Sequence, residues 1–190
     1  MDLKSLKKKK NQKTNIELKD PSPKALKNLI NLYGQGKFQL SLNKAKELLR
    51  DYPNSINLIN IIGANFLSLG DYESSIKEYK KAVSIKPDYV EAINNIGIAL
   101  NKKGKLDEAI SSYKEAISIK PNFPEPYFNL ANILKGQGKL EEAIDYYKKA
   151  LLLKANYTEA YNNLGNAYKA QGKLNKAIDL YKKALSVNPK

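Results

Sequence analysis

The chain has 190 residues, and its 33 lysine and arginine residues against 19 acidic residues give it a formal net charge of +14. It contains no histidine and no cysteine, which excludes disulfides, zinc fingers and catalytic arrangements that need an imidazole or a thiolate. We therefore expect no enzymatic activity, no catalytic residue, no cofactor and no metal. A hydrophobic share of 42% is typical of a folded chain.

Lysine supplies almost all of the positive charge, since only one of the basic residues is arginine. Asparagine, isoleucine and tyrosine, which share AT-rich codons with lysine, are also abundant, with 21, 17 and 13 copies. Selection for phosphate contacts would enrich arginine as well, because its planar guanidinium group binds phosphate through two parallel hydrogen bonds. We therefore favour codon bias over nucleic-acid binding as the source of the lysine excess.

Residues 1–21 are predicted to form a disordered, lysine-rich tail, because their few scattered aliphatic residues cannot offset the entropy lost on ordering. The tail includes the run Lys7, Lys8, Lys9 and Lys10, a candidate for weak contact with nucleic acid or an anionic membrane. No aromatic residue lies within the run to stack on bases, so we favour a solubilising role. The sequence has no long apolar segment and no signal peptide, which predicts a cytoplasmic location without a membrane span.

From residue 22 onward the sequence repeats with a period of 34 residues. The period is marked by five glycines, Gly36, Gly70, Gly104, Gly138 and Gly172. Four prolines follow the same spacing, Pro53, Pro87, Pro121 and Pro189. We place the repeats at 22–55, 56–89, 90–123, 124–157 and 158–190.

Each repeat is predicted to form two helices. Apolar residues recur at positions i, i+3, i+4 and i+7 on both sides of the repeat glycine, which is the spacing of one helix face. The glycine is expected to end the first helix in a left-handed conformation that other residues adopt less easily. One such hairpin cannot bury its apolar face alone, so we expect the hairpins to stack on each other.

The fifth repeat carries a family resemblance at eight positions, which are Tyr161, Leu164, Gly165, Tyr168, Ala177, Tyr181, Ala184 and Pro189. They resemble the signature positions of the tetratricopeptide repeat (TPR), and the 34-residue period argues against ankyrin and HEAT arrays. The resemblance covers residues 22–190. It implies an all-α, right-handed superhelical solenoid of five helix-turn-helix hairpins.

The first repeat, 22–55, departs from the pattern in a consistent direction. Leu29 stands where other repeats have glycine or alanine, and Ala45 stands where they have tyrosine, so side-chain volume has moved from one helix to the other. Ser22 followed by Pro23 is a strong signal for the start of a helix. Because terminal repeats are commonly atypical, we interpret 22–55 as the N-terminal capping repeat.

Asparagines recur at fixed places in the first helices of the later repeats. Asn95, Asn129 and Asn163 are separated by one period, and Asn132 and Asn166 lie one turn further along. In TPR arrays the first helices line a concave groove, and a column of amides there can donate to the carbonyls and accept from the N–H groups of an extended peptide. The pattern is similar to the asparagine ladder of O-linked N-acetylglucosamine transferases. The alternative is that duplication copied surface asparagines that have no role.

Charged residues at the two ends of these helices are interpreted differently. Lys135 and Lys169 lie at the helix ends and could hold acidic side chains or a carboxylate in the groove. The acidic residues at the helix starts are Glu91, Glu125 and Glu159. Equivalent groups in successive repeats are roughly 10 Å apart, which is too far for paired acid–base catalysis, so we assign these glutamates to the helix dipole.

The sequence thus predicts a non-enzymatic scaffold that binds an extended peptide or a partner protein in its groove, with no small-molecule substrate. An alternative is that the array is the recognition arm of a longer enzyme, because it resembles the N-terminal regions of bacterial TPR proteins that carry a sulfotransferase or glycosyltransferase domain downstream. In the last helix, Leu185 and Val187 are left without an obvious cover. The exposed face of this C-terminal helix is therefore a further candidate site, for self-association.

Overall fold

The computed structural model describes residues 19–188, so Lys7, Lys8, Lys9, Lys10 and Pro189 lie outside the described residues. Within this range the chain forms ten α-helices and no strand. The helices are α1 (Pro23–Gly34), α2 (Phe38–Asp51), α3 (Ile56–Ser68), α4 (Tyr72–Ile85), α5 (Val90–Lys102), α6 (Leu106–Ile119), α7 (Pro124–Gly136), α8 (Leu140–Leu153), α9 (Thr158–Ala170) and α10 (Leu174–Val187). The prediction of an all-α solenoid of helical hairpins is confirmed, while the exact repeat boundaries stay a prediction.

The turn inside each hairpin depends on the repeat glycine. All five glycines have φ between 73° and 81°, in the left-handed region that glycine adopts at little cost. In the third hairpin the N–H of Lys105 donates to the carbonyl of Leu100, and the N–H of Gly104 donates to that of Asn101, both at 2.9 Å. These two bonds close the end of α5 in the manner of a Schellman motif.

The two helices of a hairpin pack closely because glycine on the first helix faces a tyrosine ring on the second. A Cβ atom added to Gly97 would lie 2.5 Å from the ring of Tyr113. The same arrangement pairs Gly63 with Tyr79. Both rings are almost completely buried, and they belong to a core that runs from α3 to α9.

The first repeat packs as the sequence predicts. Leu29 is 1% exposed and Ala45 is 0% exposed, so the exchanged volumes fill the same interior. The Ser22 hydroxyl accepts a hydrogen bond from the N–H of Ala25 at 3.3 Å, with Pro23 in the first helical turn. Ser41 of α2 donates to the Leu29 carbonyl at 3.1 Å and accepts from Asn65 of α3 at 3.0 Å. This buried polar contact joins the first repeat to the second.

The last residues of the predicted tail are held against the array. The carboxylate of Asp20 accepts hydrogen bonds from the Ser55 hydroxyl and, at 2.8 Å, from the side-chain amide of Asn57. Pro21 is buried. Residues 20 and 21 are therefore part of the folded array, and Asp20 is bound to residues at the start of α3.

No helix in the described part of the chain is both long and apolar enough to cross a membrane.

Candidate functional site

The first helices of the five hairpins form one continuous layer. Contacts join α1 to α3, α3 to α5, α5 to α7, and α7 to α9. We call the surface of this layer that is not covered by second helices the groove. All seven predicted site residues lie on the first helices: Asn95 on α5, Asn129, Asn132 and Lys135 on α7, and Asn163, Asn166 and Lys169 on α9.

Four asparagines of the groove are joined across the repeats. The side-chain N–H of Asn129 donates to the side-chain oxygen of Asn94 at 3.0 Å. One repeat later, the side-chain amide of Asn163 donates to Asn132 at 2.8 Å. The structure therefore links two of the predicted asparagines, Asn132 and Asn163, directly to each other, and it links Asn129 to Asn94. Asn94, which was not among the predicted site residues, is part of this network and is only 4% exposed.

Tyrosine hydroxyls from the second helices form hydrogen bonds with the side chains of Asn132 and Asn166. Tyr147 donates to the Asn132 oxygen at 2.5 Å, and Tyr181 donates to the Asn166 oxygen at 2.8 Å. Burial raises the pKa of the Tyr147 hydroxyl above its ordinary value, so the hydroxyl stays protonated and remains a donor at neutral pH. The orientation of the Asn132 amide is therefore set by the protein itself.

We call the five predicted asparagines, Asn95, Asn129, Asn132, Asn163 and Asn166, the amide row, and Asn95 lies at its N-terminal end. It is half-buried beside the Tyr79 hydroxyl, and burial raises the pKa of that hydroxyl while the nearby Asn95 side chain lowers it. The Tyr79 hydroxyl makes no hydrogen bond of good geometry with any described residue. Asn95 is thus part of the row by position, but it is less firmly held than Asn132.

The charged residues at the helix ends fall into two groups. Lys135 is half-buried and Lys169 is exposed, and neither forms an ion pair with any of residues 19–188. Glu91 and Glu125 instead pair with Lys120 at 3.7 Å and with Lys154 at 3.5 Å. These pairs connect the start of a first helix with the end of the second helix of the same hairpin, so the two glutamates have a structural role. Among the described residues no cluster of acidic side chains could hold a metal ion.

Sequence reasoning missed an apolar hollow of about 250 Å³ between α1 and α3. Its apolar lining consists of Leu26, Ile30, Tyr33, Ile61 and Ala64. Ile61 precedes Asn95 by one period, and Ala64 precedes Asn132 by two, so the hollow continues the amide row towards the N-terminus. The signal was present in the sequence, because Ile61 stands at the register of Asn95, and Ile30 and Ala64 stand at the register of Asn132.

Several solved structures share the fold. The chain matches the thermophilic TPR protein TTC0263 of Thermus thermophilus with a TM-score of 0.76 and 24% identity, covering 88% of this chain and 91% of that one. It matches MamA of Desulfovibrio magneticus RS-1 with a TM-score of 0.68 and 20% identity, over 88% and 97% of the two chains. For Pseudomonas aeruginosa PilF the values are 0.77 and 17%, over 86% and 75%. At these identities the likeness shows the fold alone.

The sequence itself matches family models over most of its length. No curated protein matches. Models of the TPR repeat match residues 63–104, 97–138 and 132–172, and a tetratricopeptide repeat model matches residues 158–190. Together these matches span more than half of the chain and agree in phase with the helical hairpins. The chain belongs to the tetratricopeptide repeat family.

Proposed function

We propose that this TPR array is a protein-interaction scaffold that binds an extended polypeptide segment along its groove through the row of asparagine side chains. TPR domains mediate protein–protein interaction, and the fold is typically a non-enzymatic scaffold. The proposal concerns the finer point, namely which residues bind and which kind of partner segment they bind. Its support is the set of asparagines on α5, α7 and α9, which includes the hydrogen-bonded pairs Asn94–Asn129 and Asn132–Asn163.

The observation that carries the proposal is that hydrogen bonds orient the asparagine amides but leave some of their donors and acceptors without a partner in the described chain. A side-chain amide offers two donors and an acceptor oxygen. Asn129 and Asn163 each use one N–H in the network within residues 19–188, so the second N–H and the oxygen of each remain for a ligand. Groups fixed before binding lose little entropy when a peptide binds. Each amide would contribute on the order of 0.5–1.5 kcal/mol net, which suits a weak binder of broad specificity.

The lysines extend this chemistry at one edge of the groove. Lys135 and Lys169 lie one turn beyond Asn132 and Asn166 on the same helices. Their ammonium groups would favour a segment with acidic side chains or a free carboxylate near this edge. The asparagines would contact the main chain of the peptide and so would discriminate little between peptide sequences. The lysines would therefore supply part of the selectivity for the bound peptide.

A random-peptide display selection against the full chain, followed by affinity measurement on variants, tests the proposal. We expect peptides to be enriched, and the triple variant Asn95→Ala, Asn129→Ala, Asn163→Ala to bind them at least tenfold more weakly. The matched control is Asn122→Ala, Asn156→Ala, Asn175→Ala, which removes three exposed asparagines that lie off the groove. Undiminished binding by the groove variant, or no enriched peptide at all, contradicts the proposal.

Two further roles are proposed, one for the groove and one for α10. The array would serve equally as the recognition arm of a longer glycosyltransferase or sulfotransferase, with the groove as its substrate-binding part. Reading the coding sequence beyond residue 190 tests this role, since a downstream transferase domain would support it and a stop codon would contradict it. The second role is self-association through α10, whose Leu174, Ile178 and Leu185 are 57%, 48% and 60% exposed.

A further inference from the structure

The apolar side chains of the hollow between α1 and α3 are partly exposed to solvent. Ile30 of α1 is 57% exposed, at a position where a polar side chain would be expected. Ile61, opposite on α3, is half-buried. Transfer of apolar surface out of water is favourable, so a ligand that covers these two side chains gains binding free energy.

A polar atom in the lining narrows the chemistry of that ligand. The side-chain oxygen of Asn60 is buried and accepts no hydrogen bond from any described residue, and Asn60 lines the hollow beside Ile61. A buried acceptor without a donor destabilises the folded chain. Because this oxygen is not exposed, a peptide N–H donates to it only after the Asn60 side chain turns towards the hollow, and a purely hydrocarbon ligand offers no donor at all.

Register and size identify the occupant further. Ile61 lies one period before Asn95, and Ala64 and Ile30 lie two and three periods before Asn132, so a segment that lies along the row reaches the hollow if it continues towards the N-terminus of the array. A volume of about 250 Å³ is below the roughly 300–1,000 Å³ of sites for drug-sized ligands. It suits one large side chain.

We propose that this hollow is an anchor site for one large apolar side chain, such as leucine, methionine or phenylalanine, of the same polypeptide segment that lies along the asparagine row. The inference rests on the proposed function and adds sequence selectivity to it. The asparagines bind main chain over several residues, and the hollow selects one side chain at one end of the segment.

The experiment uses peptides enriched by display on the full chain. We expect them to share one large apolar residue at a fixed position. Ile30→Glu is expected to weaken binding about tenfold to hundredfold, because it places a charge where the anchor side chain would be buried. Ile30→Ser is a milder second variant. The control is Leu152→Glu, on α8, which changes a residue that is 77% exposed and does not line the hollow. Circular dichroism melts establish that each variant is folded.

A double-mutant cycle tests whether the two residues meet. Replacing the shared apolar residue of the peptide by alanine should weaken binding to the wild-type chain but have little further effect on the Ile30→Glu variant. Equal losses on both chains overturn the inference. So does conversion of a dimer to a monomer by Ile30→Glu, since the hollow would then be an interface between copies.

The failures of the two proposals are distinguishable. Peptides that enrich without any apolar preference, and that still need Asn95, Asn129 and Asn163, contradict the anchor site and leave the amide row supported. Peptides with a shared apolar residue that bind the asparagine triple variant at full strength contradict the amide row. They overturn the present inference as well, because it places the anchor on the segment that the row binds.

Discussion

At the scale of single residues, the packing of a hairpin depends on a glycine inside the first helix that faces a tyrosine ring of the second helix. Gly97 lies against the buried ring of Tyr113, and the hydrogen atom in place of a side chain is what allows this approach. A methyl group there has no room, since its carbon would lie 2.5 Å from a ring carbon. The ring is buried in the core, so either the ring or the backbone has to shift.

Gly97→Ala is therefore expected to lower the free energy of unfolding by about 1–3 kcal/mol, the usual penalty for overpacking. Gly136→Ala is the matched control, because Gly136 lies at the end of α7 with no atom within 4 Å of an added Cβ and without a positive φ. We expect that change to stabilise the chain by about 0.5–1 kcal/mol. Urea unfolding followed by circular dichroism measures both. Equal effects of the two changes would show that the Tyr113 contact is unimportant.

At the scale of helices, bonds between asparagine and tyrosine join the two helices of a hairpin, and a bond between two asparagines joins neighbouring hairpins. Asn132 of α7 accepts from Tyr147 of α8 and from Asn163 of α9. One amide oxygen thus joins three helices from two repeats. Tyr113, the equivalent of Tyr147 in the preceding repeat, has no such asparagine, because Ile98 stands at the register of Asn132.

This difference predicts unequal effects of removing the two hydroxyls. Tyr147→Phe should lower the free energy of unfolding by about 0.5–1.5 kcal/mol, the typical net contribution of a hydrogen bond. Tyr113→Phe should change it little, since the Tyr113 hydroxyl makes no hydrogen bond to another residue of the described chain. Thermal unfolding by calorimetry compares the two variants directly. A larger loss for Tyr113→Phe would contradict the assigned network.

The helices could be predicted from the sequence, whereas the connections within the groove could not. The glycine at every thirty-fourth position requires a left-handed turn, and apolar spacing on either side of it specifies two helix faces. The partners of Asn129 and Asn163 depend on the angle between successive hairpins, which a repeat pattern does not contain. For the same reason the role of Asn94 was missed. The packing of Leu29 against Ala45 was predictable because it only exchanges volume within one hairpin.

At the scale of the whole molecule, the two ends of the array present different surfaces. On α9, the residues that cover α8 are Ala160, Leu164 and Ala167, which are at most 3% exposed. Their equivalents on α1 are Lys24, Asn28 and Asn31, all exposed. A second copy therefore cannot continue the stack by placing its α1 on α10, because lysine and asparagine would have to be buried without partners.

The proposed self-association through α10 should consequently give two-fold dimers and should not give assemblies of more than two copies. Ile144 of α8 is 5% exposed under α9, whereas its equivalent Ile178 on α10 is 48% exposed, so an α10–α10 contact would bury the surface that α9 covers elsewhere. We expect the full chain to sediment as a monomer–dimer equilibrium and the variant Ile178→Glu, Leu185→Glu to sediment as a monomer. Leu152→Glu, which changes a residue exposed on α8, should leave the equilibrium unchanged.

The dimer should also depend on salt. Because α10 carries Lys182 and Lys183, like charges oppose the pairing of two copies, and added salt should strengthen the dimer by screening these charges. A full chain that stays monomeric at all concentrations and salt levels removes the self-association role, and growth into long assemblies would show that the polar face of α1 does not block stacking.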